Sequence, residues 1–286
     1  MKNIPKVLVI TMFCGEPQYE RCIASVKNQV GVECDHKLIE NKPNVEAHRE
    51  LYETINSSGN QYDYFVKLDA DMEFSSDSAL LEIIDLFDPT TDHLTIPVFD
   101  FFINDDMPAF HVFTSRVKFD TENMDKLYVD KIKTSYPGAK KSTTKSNKLV
   151  YHCFEPSKEQ CIAFGIHRAL KVCQKDRLVP SLSASKYHYT TLLKVYSNLK
   201  KSEPEDLRNY TMIAAAMVFE GRIEGVMEDK KLFLDDAHVS NSDTVSIESW
   251  FEGDKLLSII KAIGIYRFFL GVFRTLSTRI INLKLF

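Results

Sequence analysis

Two aspartates one residue apart, Asp69 and Asp71, close the run YFVKLDADMEF (Tyr64 to Phe74), and carboxylates at that spacing can grip a divalent cation. In an extended segment residues i and i+2 point the same way. Both carboxylates can therefore reach one ion, which prefers hard oxygen ligands and keeps places for phosphate oxygens. Charge at the end of an apolar strand is expensive unless something pairs with it, and a metal clamped to a diphosphate is the simplest partner. Lys67, two residues earlier on the same strand face, either offsets these charges or is an edge cation. The plainer reading is a solvated turn, where Asp is common, so the surrounding elements must decide.

KVLVITMF (6–13) is a continuous run rich in β-branched residues, as a buried parallel strand requires. YERCIASVKNQ (19–29) follows, with Cys22, Ile23, Val26 and Val30 at helical spacing. HKLIEN (36–41) reads as a second strand, NVEAHRELYETINSS (44–58) as a helix and YDYFVKLDA (62–70) as a third strand, with Gly59 and Asn60 as the break. This alternation predicts an α/β fold with a mainly parallel sheet flanked by helices. In such sheets ligands bind beyond the carboxyl ends of the strands, where Asp69 and Asp71 stand.

Further along, 79–87 reads as helix, 93–102 and 110–119 as strands, YPGAKKSTTKSNK (136–148) as a basic loop and LVYHCF (149–154) as a strand. A long helix is expected over 157–175, and more helices over 189–201 and 205–221. The expected division is a catalytic domain over 1–198, a helical region over 199–254 and a basic amphipathic helix over 255–286.

Composition narrows the classes. With 286 residues, 44% hydrophobic and 27% charged, the chain is an ordinary globular one, and its formal net charge of −4 argues against a nucleic-acid binder. Six cysteines, at 14, 22, 34, 153, 161 and 173, form no C-x-x-C pair, so neither a zinc ribbon nor a thioredoxin-type site is expected. They read as reduced, mostly core thiols of a cytosolic protein. The opening apolar run is short, and Glu16 stands where a signal-peptide cleavage site should be.

In order and spacing, VLVITMFCGEPQYERCIASVKNQ, LIEN, EAHREL and YFVKLDADMEF resemble nucleotide-sugar-dependent glycosyltransferases of the GT-A fold, especially the family-2 type. YHCFEPSKEQCIAFGIHRALK (151–171) resembles the acceptor-side strand and helix of bacterial members. The resemblance implies that Thr11, Phe13 and Glu16 hold the nucleobase and that Glu40 holds base or ribose, although the family usually has Asp-Asp where this chain has Glu-Asn. Arg49, with His48 beside it, would approach the diphosphate. Asp69 and Asp71 would hold Mn2+ or Mg2+ on the diphosphate of the donor, neutralising charge as the glycosidic bond breaks.

A third metal ligand is implied as a histidine after the acceptor-side helix. His188 in SASKYHYTT stands there, His238 is the runner-up, and His167 reads as a packed helix residue. An inverting transfer also needs a carboxylate base. Glu159, at the start of the acceptor-side helix, is favoured over Glu155 and Asp100, though Ser157-x-Glu159 also reads as capping.

Residues 255–286 carry six Lys or Arg and no acid, and their longest uncharged run is six residues, too short to span a bilayer. Ile263, Tyr266, Phe269, Leu270, Phe273, Leu276, Ile280 and Leu283 share one broad arc, with Lys261, Arg267, Arg274 and Arg279 opposite. This predicts an in-plane anchor on an anionic membrane surface; the alternative is a helix docked on its own core or on a second subunit, as in a homo-oligomer. The expected protein is a cytoplasmic enzyme, peripheral to the inner face of a membrane. It would move a sugar to a glycan or lipid-linked acceptor in lipopolysaccharide, capsule or other surface-glycan synthesis, with inversion at the transferred carbon. The rival readings are a sugar nucleotidyltransferase, which should show a Gly-rich loop where TMFCGEPQ has one Gly, and a non-catalytic glycan-binding protein.

Overall fold

A computed structural model of the protein describes residues 4–122, 124–125, 128–129, 132–143, 148–203, 205–223 and 246–283, the last stretch with side chains to 277. The chain divides into two compact units, Met1–Pro156 and Ser157–Phe286. This boundary precedes the expected one at 198, because the long helix after Pro156 packs with the helices that follow it.

The first unit runs β1 (Lys6–Phe13), α1 (Tyr19–Lys27), β2 (Glu33–Glu40), α2 (Asn44–Ser58), β3 (Tyr64–Asp69), β4 (Met72–Phe74), α3 (Ala79–Ile84), β5 (Thr91–Asp100), β6 (Asp105–Thr114), β7 (Lys118–Phe119), β8 (Thr134–Ser135), β9 (Ala139–Ser142) and β10 (Val150–His152). One sheet has the order β2-β1-β3-β6-β5-β10-β4, with β9 also on β5, and β7 and β8 form a small ribbon. Pairs β1/β2, β1/β3, β5/β10 and β5/β9 are parallel, whereas β3/β6, β5/β6 and β4/β10 are antiparallel. The result is the mixed, mainly parallel α/β sheet flanked by helices that the GT-A resemblance implied.

The core explains the order. Val7, Val9 and Ile10 of β1 are fully buried, so the first strand lies inside the sheet. On one face α2 lays Ala47, Leu51, Tyr52 and Ile55 against Leu8, Ile10, Ile39 and Phe65, each large side chain contributing about 1.5–3 kcal/mol on burial. The expected loop over 136–148 contains β9, whose register sets Lys140 beside His93. A polar segment can join a sheet because the ladder is made by the backbone. Here Gly138 permits it, since a Cβ there would lie 2.4 Å from the Thr90 carbonyl oxygen.

The second unit is helical: α4 (Lys158–Cys173), α5 (Leu182–Leu199), α6 (Arg208–Phe219), α7 (Ile247–Phe251), α8 (Lys255–Ile263) and α9 (Ile265–Leu283). Gly165 lets α4 meet α6 closely, for a Cβ there would sit 2.2 Å from the Thr211 carbonyl oxygen. Tyr189, Phe219, Trp250 and Phe251 form an aromatic cluster. Arg267 of α9 donates to the carbonyls of Gln174 and Arg177 just past α4, where a cation also suits the helix dipole. Among the described residues no single helix is long and apolar enough to cross a membrane; α8 with Ile265–Ser277 passes by length and composition only as a pair bent by 105°.

Candidate metal centre

The Asp-Ala-Asp stretch forms the tight connection from β3 to β4, and two ladders bring it its neighbours. Antiparallel pairing of β4 with β10 sets Met72 opposite His152, and the next backbone bond runs from Cys153 N–H to the Asp71 carbonyl at 2.8 Å. Parallel pairing of β10 with β5 sets His152 beside Asp100. Residues far apart in the chain are thus fixed to one another by strand register alone.

Asp71, His152 and Cys153 form the group of possible metal donors found among the described residues. His152 Nε2 lies 3.6 Å from Asp71 Oδ2. Cys153 Sγ is 3.3 Å from the same oxygen and 3.6 Å from His152 Nε2. Consecutive strand residues normally point to opposite faces, but Cys153 has φ 51°. That left-handed turn ends the strand and brings the thiol round to the histidine. Glu155 repeats it at φ 57°, and such backbone outliers gather where a site must be held in place.

Asp100 is fully buried, and its Oδ2 lies 2.6 Å from His152 Nδ1 while Oδ1 accepts from the Ile103 N–H at 2.9 Å. The carboxylate holds the Nδ1 proton, which leaves Nε2 to turn its lone pair toward Asp71 and Cys153. Burial works against charging the imidazole, but the carboxylates of Asp71, Asp100 and Asp69 outweigh it and raise the His152 pKa. Three acids around one histidine suit a cation. Among the described residues no fourth protein donor joins this group; metal sites with three protein ligands keep a position open for substrate.

The other expected residues are distributed as follows. Asp69 is a third exposed, with Lys67 Nζ 3.4 Å from its Oδ2. Thr11 is fully buried and its hydroxyl meets His36 Nε2 at 3.0 Å, so its side chain is engaged inside the sheet. Phe13 stacks on Tyr19 at 4.0 Å between ring centroids, and Glu40, exposed, pairs in register with Phe13. Burial, and then the Glu40 charge, raise the Tyr19 pKa. Glu16 turns back to accept from the Cys14 N–H at 2.7 Å. Arg49 is half-buried on α2, with no hydrogen-bond or ion-pair partner among the described residues. Its neighbour His48 is buried, with Nδ1 2.8 Å from the Asn44 carbonyl oxygen.

Of the three acids weighed as the base, Asp100 is excluded, since both of its oxygens are engaged in the interior. Glu155 is 78% exposed beside the donor group and meets Arg21, which also grips Glu73 through two nitrogens. Glu159 lies in the first turn of α4, where its own backbone N–H and the Ser157 hydroxyl lower its pKa. The capping box there is completed by Gln160.

His188 lies inside α5, buried, its Nδ1 3.3 Å from Arg168 Nη1. His167 is on α4, and His238 lies outside the described residues. The histidine that the sheet unit supplies is His152, which sequence reasoning missed. The signal was present: His-Cys ends a short apolar strand much as Asp-Ala-Asp ends another. Cys153 is a buried free thiol like Cys22, Cys161 and Cys173; burial pushes the last three thiols up to about 12.

Solved structures similar to this chain include glycosyltransferases. The Pyrobaculum calidifontis mannosyltransferase PcManGT, in complex with GDP-Man and Mn2+, is 14% identical, with 93% of this chain and 88% of that one covered and a TM-score of 0.41. For S. aureus TarS 1–349 the identity is 10%, the coverage 91% and 81%, and the TM-score 0.36. A glycosyltransferase involved in glycosylation of the major capsid of PBCV-1 is 12% identical over 38% of this chain, with a TM-score of 0.29; the match spans 60% of that protein's length. No protein-family model matches the chain, and no curated protein matches it in sequence.

Proposed function

We propose that the protein is a metal-dependent glycosyltransferase that uses a nucleotide-diphosphate sugar. The observation that carries this is the Asp71, His152 and Cys153 donor group at the carboxyl end of β3, braced by buried Asp100. A divalent cation held there would supply positive charge to the departing diphosphate. Around it the chain's own groups divide the work. Arg49 offers a cation to the diphosphate, Phe13 and Tyr19 offer an aromatic wall to the base, and Glu40 offers an acceptor to base or ribose. Glu155 takes the proton of the attacking hydroxyl in an inverting displacement.

The acceptor we propose is a surface glycan or its lipid-linked precursor, and α9 supports a membrane setting. Arg267 and buried Gly271 face the rest of the second unit, whereas Ile265, Tyr266, Phe269, Phe273 and Leu276 are each at least half exposed. Six cations and no acid over 255–286 favour an anionic lipid surface over a second copy of the same tail.

The test is release of nucleoside diphosphate from UDP-, GDP- and CDP-sugars by the full chain with Mn2+, compared with His152→Ala. Release from one donor, at least about 100-fold weaker in the variant, is expected. Pyrophosphate formed from a nucleoside triphosphate and a sugar phosphate would favour a nucleotidyltransferase. Tight glycan binding with no turnover of any donor would favour a binding protein.

A further inference from the structure

The donor group contains a thiol, which oxygen-seeking Mg2+ does not require and which borderline metals prefer. Its spacing is compatible with such an ion. With typical zinc bond lengths, a tetrahedral ion sets sulfur about 3.6 Å from nitrogen and from oxygen, and nitrogen about 3.4 Å from oxygen. The observed separations are 3.6 Å for Cys153 Sγ to His152 Nε2, 3.3 Å for Cys153 Sγ to Asp71 Oδ2, and 3.6 Å for His152 Nε2 to Asp71 Oδ2. Octahedral Mg2+ wants neighbouring ligand atoms only about 3.0 Å apart. The triangle is wide enough for a four-coordinate ion with three protein ligands.

Two further observations converge. Asp100 bonded to His152 Nδ1 makes the carboxylate-histidine pair that orients a zinc-binding imidazole and raises its basicity. Cys153 takes up a positive φ, 51°, in a residue that is not glycine, and that conformation is what aims its sulfur at the other two donors.

We infer that Asp71, His152 and Cys153 form a thiolate-containing site selective for a borderline divalent ion of the Zn2+, Co2+ or Fe2+ kind over Mg2+, with the fourth position left to an oxygen of the donor diphosphate. This rests on the proposed function, which requires a divalent metal at this place but does not specify a thiolate. On ligation the Cys153 thiol gives its proton to solvent and binds as the thiolate.

Cobalt reports the thiolate directly. Full-length protein freed of metal with a chelator is titrated with Co2+, then challenged with Zn2+ or Mg2+, and UDP, GDP and CDP binding is followed by calorimetry in the same samples. The inference expects an intense sulfur-to-cobalt charge-transfer band, absent in Cys153→Ser. It also expects displacement of Co2+ by Zn2+ but not by Mg2+ in about 100-fold excess. Cys153→Asp, an all-oxygen-and-nitrogen set, should remove the band yet bind Mn2+ at least as well as the native chain, which separates loss of the ligand from loss of the fold. Cobalt bound without the band, or displaced equally by Mg2+, overturns the inference; if nucleotide then still binds with Mn2+, the transferase reading stands. Failure to bind any metal or nucleotide overturns both.

Discussion

Asp100→Asn tests whether the buried carboxylate governs the metal-facing nitrogen. Asp100 accepts from two donors, the Ile103 N–H at 2.9 Å and His152 Nδ1 at 2.6 Å. An asparagine has one oxygen and one NH2 group in that space, so one of these donors must face another donor. If the backbone N–H loses its partner, about 1–3 kcal/mol of stability is lost. If the imidazole gives way instead, it moves its proton from Nδ1 to Nε2, the nitrogen that faces Asp71 and Cys153, and the lone pair a metal needs is gone. Either way the orienting charge disappears, and metal affinity should fall about 10–100-fold. Calorimetric titration of metal into both proteins reads this, with circular dichroism to confirm a folded variant and proton NMR of the His152 ring to assign the tautomer. Native affinity in a folded Asp100→Asn protein, together with an unchanged tautomer, would refute the orienting role.

Three other outcomes are expected. Burial, then His111 and Lys140, hold the His93 pKa down to about 3, below its unfolded value, so the unfolded chain binds the extra proton. Stability is then complete above about pH 6.5 and is lost as pH falls toward 3, by up to about 5 kcal/mol; denaturant titrations should show that slope flattened in His93→Phe. Gly165→Ala should lower the melting temperature, because a Cβ 2.2 Å from the Thr211 carbonyl oxygen costs about 1–3 kcal/mol or more and outweighs the roughly 1 kcal/mol helix gain of alanine. An unchanged melting temperature would show that α4 and α6 can part freely. Phe269→Ser and Phe273→Ser should each weaken sedimentation with anionic vesicles about tenfold or more, and equal binding to neutral vesicles would count against the electrostatic part of the membrane proposal.

What the sequence reveals follows the range of the forces involved. Local patterns placed β1 at 6–13 and α2 at 44–58 to the residue, because a buried β-branched run and an amphipathic period are written in neighbouring residues. Asp69 and Asp71 were legible as a strand end for the same reason. His152 and Cys153 were not, since their position beside Asp71 comes from the pairing of two three-residue strands, and their convergence comes from a backbone turn at Cys153. β9 was hidden because its polar side chains say nothing of its backbone pairing. His188 was expected to follow the acceptor-side helix, and it does so inside α5, which begins at Leu182 and meets no Gly or Pro before Pro204. Asp100 carries the same lesson: an acid ending a strand reads as exposed chemistry until the register puts a histidine against it.

The most direct test of the central claim is calorimetric binding of UDP, GDP and CDP to the full chain with and without divalent metal, repeated on Asp71→Ala. One nucleotide should bind only when metal is present, and Asp71→Ala should abolish this binding. Binding that ignores the metal and the substitution, or no binding of any of the three, would contradict it.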